Sequence, residues 1–401
     1  MISASCCEFP DFAWVVGEEG SDPVVLRDGT PYRHDQFTSS GHYDLMRGDL
    51  ADVAALGVRI FRYGMPWRLT ETAPGRFDWS LWDRAFAACD AAGLEPVVDL
   101  CHFGLPDHYL GFCDATWVNG FCDYVDAFLA RYPKPRWFTP VNEPAVTAMA
   151  SALRGAWNDR RNSGNDYGIA LTNLVHANLE AMTRVRGDRD GCWIGSEGFD
   201  VPVAATPADY DRANRRRARN WLVWDLHFGV EPEPAARDLL VDVSDVTLER
   251  IASLATTDGV IAGHDVYPTS MHVIGDRETP LTIDERLDAY VDEARRWYAR
   301  YQVPFWIAET SNLSLPVSDQ IGWLDGFVNR LLAMRADELP VRGLCWYSRG
   351  DQYDWQTMLV EPTGALTEVG LFDAARLRRP VAGAFAQYAK AQTLSGPRHA
   401  E

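Results

Sequence analysis

Two acidic residues stand where apolar strands should end. Glu143 follows the run Trp137-Phe138-Thr139-Pro140-Val141-Asn142, and Glu309 closes the run Val303-Pro304-Phe305-Trp306-Ile307-Ala308. A carboxylate at the tip of an apolar strand is unfavourable unless it is hydrated, paired or used. Two carboxyl groups about 5 Å apart can hydrolyse a glycosidic bond with retention of configuration: one donates a proton and the other attacks the anomeric carbon. Closeness also raises the proton affinity of one of them, so an acid and an anion coexist near neutral pH.

Bringing Glu143 and Glu309 together requires a closed architecture. Eight short apolar runs read as strands buried on both faces: 12–17, 58–64, 95–101, 136–141, 192–197, 260–267, 304–309 and 343–348. Helical periodicity fills the gaps. Val118, Phe121, Cys122, Val125, Phe128 and Leu129 recur at helical spacing within 115–132, and Trp82, Ala85, Phe86 and Cys89 within 79–92. Segments 44–56, 166–186, 284–301, 319–335 and 373–391 read as further helices. Gly57 and Gly93 stand where helices should end. Strands alternating with helices predict a single (β/α)8 barrel over 1–401, whose strand C-termini share one mouth. An open doubly wound sheet is disfavoured because no Gly-rich phosphate loop follows any strand. Segment 198–257 reads as irregular, and the basic run 212–221 as a solvated helix face.

Composition narrows the partners. The 401 residues are 47% hydrophobic, enough for a large core, and the formal charge of −19 disfavours nucleic acid and anionic membrane surfaces. The 15 tryptophans suit either a large core or flat platforms for sugars. The eight cysteines form no CxxC pair, their even count in so long a chain is weak evidence for disulfides, and Cys113 with Cys122 is the pair to watch. The N-terminal segment lacks a basic region and a long apolar run, and no stretch approaches the roughly 20 apolar residues of a membrane span. The expectation is a soluble protein of a reducing compartment, the cytoplasm. His102, His264 and His272 lack the clustered ligands of a zinc site, so no metal or organic cofactor is expected.

Five segments in order resemble glycoside hydrolase family 1, the β-glucosidase family of the retaining barrel clan. They are LGVRIFRYGMPW (56–67), AGLEPVVDLCHFGLPDH (92–108), VNEP (141–144), WIAETS (306–311) and GLCWYSRGDQYDW (343–355). The resemblance implies Glu143 as general acid then base, Glu309 as nucleophile, and Arg62 beside Glu309. It also implies Asn142 on the sugar 2-hydroxyl, Tyr267 donating to Glu309, His102 on a sugar hydroxyl, Trp346 as the platform under the ring, and Asp354 on outer hydroxyls. Glu197, at the end of its strand, is a secondary candidate for substrate binding or for the role of Glu143. The chain also departs from the family. Gly17, followed by Glu18 and Glu19, stands where the family has a sugar-gripping Gln. Glu-Thr-Ser replaces Glu-Asn-Gly after the nucleophile strand, and Asp354 replaces a longer Glu. The resemblance therefore implies retaining hydrolysis of a small-molecule glycoside or oligosaccharide more firmly than it implies glucose. Transfer of the sugar to an alcohol instead of water, and a glycoside-binding barrel without chemistry, are the alternatives.

Overall fold

The computed structural model describes residues 8–391. Eight parallel strands close into a barrel. They are β1 (Ala13–Glu19), β2 (Ile60–Gly64), β3 (Glu95–Asp99), β4 (Trp137–Thr139), β5 (Cys192–Ile194), β6 (Val260–Asp265), β7 (Phe305–Thr310) and β8 (Val341–Tyr347). Each strand pairs with its neighbours in sequence, and β8 closes against β1. All eight strand runs expected from the sequence are present.

The period-2 alternation of a strand sorts every residue to one of two cores. Facing inward, Val15, Ile60, Val97, Trp137, Ile261 and Trp306 fill the barrel with apolar volume. Facing outward, Trp14, Val16, Phe61, Val98, Ile307 and Trp346 pack against the helical ring. The helices His42–Ala55, Ser80–Ala92, Thr116–Arg131, Gly164–Asp188, Ile283–Tyr301 and Gln320–Ala336 build that ring. Gly93 ends its helix with φ of 68°, the left-handed conformation that glycine adopts without a Cβ penalty.

Four expectations are corrected. The last helix begins at Pro380 rather than 373, because proline lacks the N–H a helix interior needs but fits its first turn. Segment 198–257 is largely helical, with Tyr210–Asn220, Leu222–Phe228 and Asp245–Leu254. Its basic helix is not merely solvated, since Arg217 donates to both oxygens of buried Glu293 at 2.6 and 2.8 Å and so docks on helix Ile283–Tyr301. Cys113 and Cys122 are free thiols, whereas Cys192 is disulfide-bonded. Among the described residues no helix is long and apolar enough to cross a membrane.

Strand β5 approaches β6 so closely that a Cβ on Gly263 would lie 1.9 Å from the Gly195 carbonyl oxygen. The obstructing atoms are backbone, so they cannot rotate away. We expect Gly263→Ala to destabilise the barrel by about 1–3 kcal/mol, read as an earlier urea unfolding midpoint.

Candidate active site

Every barrel strand ends on the same rim, so inward-facing residues at the C-terminal tips converge there. Glu19, Arg62, Asp99, Thr139, Asp265 and Tyr347 continue the inward parity of their strands. Glu309 joins them through an irregularity: the pairing of β7 with β6 slips between His264 and Asp265, so that Asp265 opposes Glu309. A bulge of this kind re-aims a side chain. Glu143 sits just beyond β4 with φ 41° and ψ 64° and caps the short helix Pro144–Ala148. Left-handed backbone is uncommon for a non-glycine residue and clusters at functional sites. Pro144 occupies the first helical position, where its missing N–H does no harm. These constraints answer why Asn-Glu-Pro follows an aromatic strand: the strand stops, the chain turns sharply, and the Glu side chain is delivered to the mouth.

One carboxylate oxygen each of Glu143, Asp265 and Glu309 lie within 4.8 Å of one another. All three residues are buried, with 7%, 1% and 4% of their surface exposed. Arg62 Nη1 donates to Glu309 Oε1 at 2.6 Å, and the Tyr267 hydroxyl donates to Oε2 at 2.6 Å. Arg62 Nη2 donates to Asp99 Oδ2 at 2.7 Å and to Asn142 Oδ1 at 2.6 Å. His102 Nδ1 donates to Asp99 Oδ2 at 2.9 Å, and Asn142 Nδ2 approaches His102 Nε2 at 3.4 Å. Glu19 Oε1 lies 3.3 Å from Arg62 Nη1. Burial, then the charges of Asp265, Glu309 and Glu197, push the Glu143 carboxyl well above the usual carboxylate range. Both oxygens of Glu309 already accept from a cationic or hydroxyl donor, which suits a poised anion. The three acidic oxygens are close enough to chelate a divalent ion, but Arg62 already places a cation on Glu309, which favours proton and nucleophile chemistry.

Of the residues expected from sequence, Glu143, Glu309, Arg62, Asn142, His102 and Tyr267 are brought together. Three others stand elsewhere. Trp346 faces outward into the helical core, with its Nε1 donating to the Val369 carbonyl at 3.0 Å. The ring at the mouth is that of the next residue, Tyr347, which lies parallel to His102 at 6.4 Å and edge-on to Trp355 at 6.2 Å. Asp354 is spent on its own loop: its carboxylate accepts from Thr363 Oγ1, Gly364 N and Ala365 N at 2.8–2.9 Å. Glu197 accepts from Ala145 N and Gly198 N, both at 2.9 Å. It therefore holds the turn that carries Glu143 rather than facing the cavity. Glu19, Asp99, Asp265 and Tyr347 were missed. Counting inward parity along β1, β3, β6 and β8 would have found all four.

Comparison with known proteins places the chain in a family and matches its fold. The sequence pattern of glycosyl hydrolase family 1 matches residues 27–231, just over half of the 401. Beta-glucosidase 2 of rice is 21% identical over 399 residues, covering 84% of this chain and 79% of that protein. Myrosinase 2 of Arabidopsis thaliana is 24% identical over 225 residues, covering 50% of this chain and 40% of that protein. The β-glucosidase of Thermotoga maritima in complex with castanospermine superposes with a TM-score of 0.81 at 16% identity, covering 96% of this chain and 99% of the other.

Arg62 is the shared counter-ion of Glu19, Asp99 and Glu309. Replacing it by Met leaves those buried carboxylates unpaired, and we expect a loss of about 3–5 kcal/mol near neutral pH. Unpaired buried carboxylates have raised proton affinities, so the folded variant binds more protons than its unfolded chain. Its stability therefore recovers as pH falls. Urea unfolding of both proteins at two pH values checks the sign.

Proposed function

This chain belongs to glycosyl hydrolase family 1, and on that premise we propose that it hydrolyses small β-glucosides by double displacement at Glu309 and Glu143. It is a retaining glycoside hydrolase. What supports glucose as the sugar is the recurrence of β-glucosidases among its relatives. The observation that carries the assignment of residues is the separation of the two carboxylates, within 4.8 Å. That spacing suits direct attack on the sugar, whereas inverting enzymes separate the pair by about 6.5–9.5 Å to admit a water.

In the first step a Glu309 oxygen bonds to the anomeric carbon while the bond to the leaving oxygen breaks. Glu143 gives its proton to that oxygen and becomes an anion. Arg62 and Tyr267 hold Glu309 ionised and aimed, and each of its oxygens keeps a lone pair for attack. In the second step a water oxygen attacks the same carbon, Glu143 takes the water proton, and the bond to Glu309 breaks. Two inversions give net retention. Asn142 and His102 present polar atoms to the sugar, and Tyr347 presents a ring face. The chemistry requires no cofactor.

Azide separates the two roles. We expect Glu309→Gly to lose turnover of aryl β-glucosides and to regain it with azide, giving the α-glycosyl azide by a single inversion. Glu143→Ala should slow substrates with poor leaving groups by about 10²–10⁴-fold, and azide should then yield the β-glycosyl azide. Product anomers read by proton NMR check both. The opposite pairing exchanges the roles, and unaltered turnover in both variants removes them.

A further inference from the structure

The double displacement uses two carboxylates, but the site holds three. Asp265 stands at the tip of β6, and its backbone is pinned on both sides. Its N–H donates to the Glu197 carbonyl at 2.9 Å, and its carbonyl accepts from Phe199 N at 3.0 Å. The side chain faces Ser196 and Glu197 beyond β5, Glu309 on β7, Arg62 on β2, Tyr267 on its own segment and Glu143 beyond β4. Ser196 Oγ donates to Oδ2 at 2.6 Å, and buried Oδ1 receives no donor among the described residues. Among the described residues no donor hydrogen-bonds to the Glu143 carboxylate, and an Asp265 oxygen stands within 4.8 Å of one of its own, the neighbouring charge that acts on it most strongly.

We propose that Asp265 is a positioning residue of the catalytic centre: its carboxylate accepts a hydrogen bond from protonated Glu143, and thereby holds and aims the proton that Glu143 delivers. This rests on the double displacement at Glu143 and Glu309. The location of the proton follows from the donors. The Ser196 hydroxyl and the Arg62 cation favour the anion on Asp265, so the pair's proton resides on Glu143. Glu143 and Asp265 are both pushed well above the usual carboxylate range, first by burial and then by neighbouring carboxylates.

The third carboxylate changes the second half of the reaction. Two negative charges raise the proton affinity of Glu143 at the start. The charge of Glu309 vanishes when it becomes the glycosyl ester, which eases Glu143 towards its role as base. The charge of Asp265 persists, so Glu143 still holds a proton more tightly than a base should. Breakdown of the glycosyl-enzyme is therefore restrained at mildly acidic pH.

Asp265→Asn tests this, with phenyl β-glucoside reporting the acid step and dinitrophenyl β-glucoside reporting glycosyl-enzyme breakdown. We expect the alkaline limb of kcat/KM for the phenyl substrate to move down by about one to two pH units. The acid limb of kcat for the dinitrophenyl substrate should move the same way, so that kcat rises at mildly acidic pH. Ser196→Ala, which removes only the donor to Asp265, should give a smaller shift in the same direction. Unmoved limbs with a uniform loss of rate overturn the proposal, because a merely structural residue lowers rates without gaining any. Infrared difference spectra of the native protein against Glu143→Gln show the protonated Glu143 carboxyl without turnover. Loss of that band at lower pH in Asp265→Asn supports the proposal, and an unchanged band overturns it. Should the native protein turn over no glycoside, the proposed function fails while the infrared result still decides this one.

Discussion

The site is organised around one buried cation. The Arg62 guanidinium has no exposed surface, and removal of such a group from water is tolerable only when its donors are met by close acceptors. Its two terminal nitrogens reach Glu309, Asp99 and Asn142 at 2.6–2.7 Å, and Glu19 at 3.3 Å. These partners come from β7, β3, the β4 tip and β1. A planar fork with fixed donor directions ties four separate strands to one point, which a lysine's single ammonium could not do. The nucleophile's orientation and the barrel's closure at the mouth are thus the same interaction.

The acidity of the site follows from a mismatch around that cation. Glu19, Asp99, Glu143, Asp265 and Glu309 are all buried near one guanidinium. Five anions cannot persist there in a low dielectric, so protons must neutralise part of the excess. Which groups take them is decided by donors. Glu309 has Arg62 and Tyr267, and Asp99 has Arg62 and His102. Glu19 has only a longer contact to Arg62, and its carboxyl is pushed well above the usual range, chiefly by burial. Glu143 has no such donor. A general acid at neutral pH is therefore a product of crowding, while the nucleophile holds the donors Arg62 and Tyr267.

Much of this was legible in the sequence, and what was not has definite causes. The strand runs were clear because strands buried on both faces are continuous apolar stretches, and Glu143 and Glu309 were clear because an acid breaks such a run. Face was harder to read for the same reason: a run apolar on both sides hides its parity. The resemblance implies Trp346 as the ring at the mouth, yet the inward parity of Cys345 places Tyr347 inside and Trp346 outside. Asp354 and Glu197 were invisible as structural groups because most of their partners are backbone N–H groups of loops, joined for Asp354 by the Thr363 hydroxyl and the His34 ring, which no sequence pattern announces. Asp265 was hidden inside a strand that also reads as apolar, beside a His264 that is wholly buried among aromatic rings.

The low identity to structures of the same shape has a physical reason in this division of labour. Barrel interiors require apolar volume at alternate positions, and many sequences supply it with little loss of stability. The wall is therefore nearly silent about identity, and 16% suffices for a TM-score of 0.81 over 96% of the chain. The tips obey the opposite rule. A buried charge without its partner is far more costly than a methylene misplaced in a core. Each partner of Arg62 thus constrains the others, and a buried acid such as Asp265 or Glu19 is tolerated only where a proton or a donor comes with it. Specific chemistry can then be carried by few residues, while the scaffold that delivers them is free to vary.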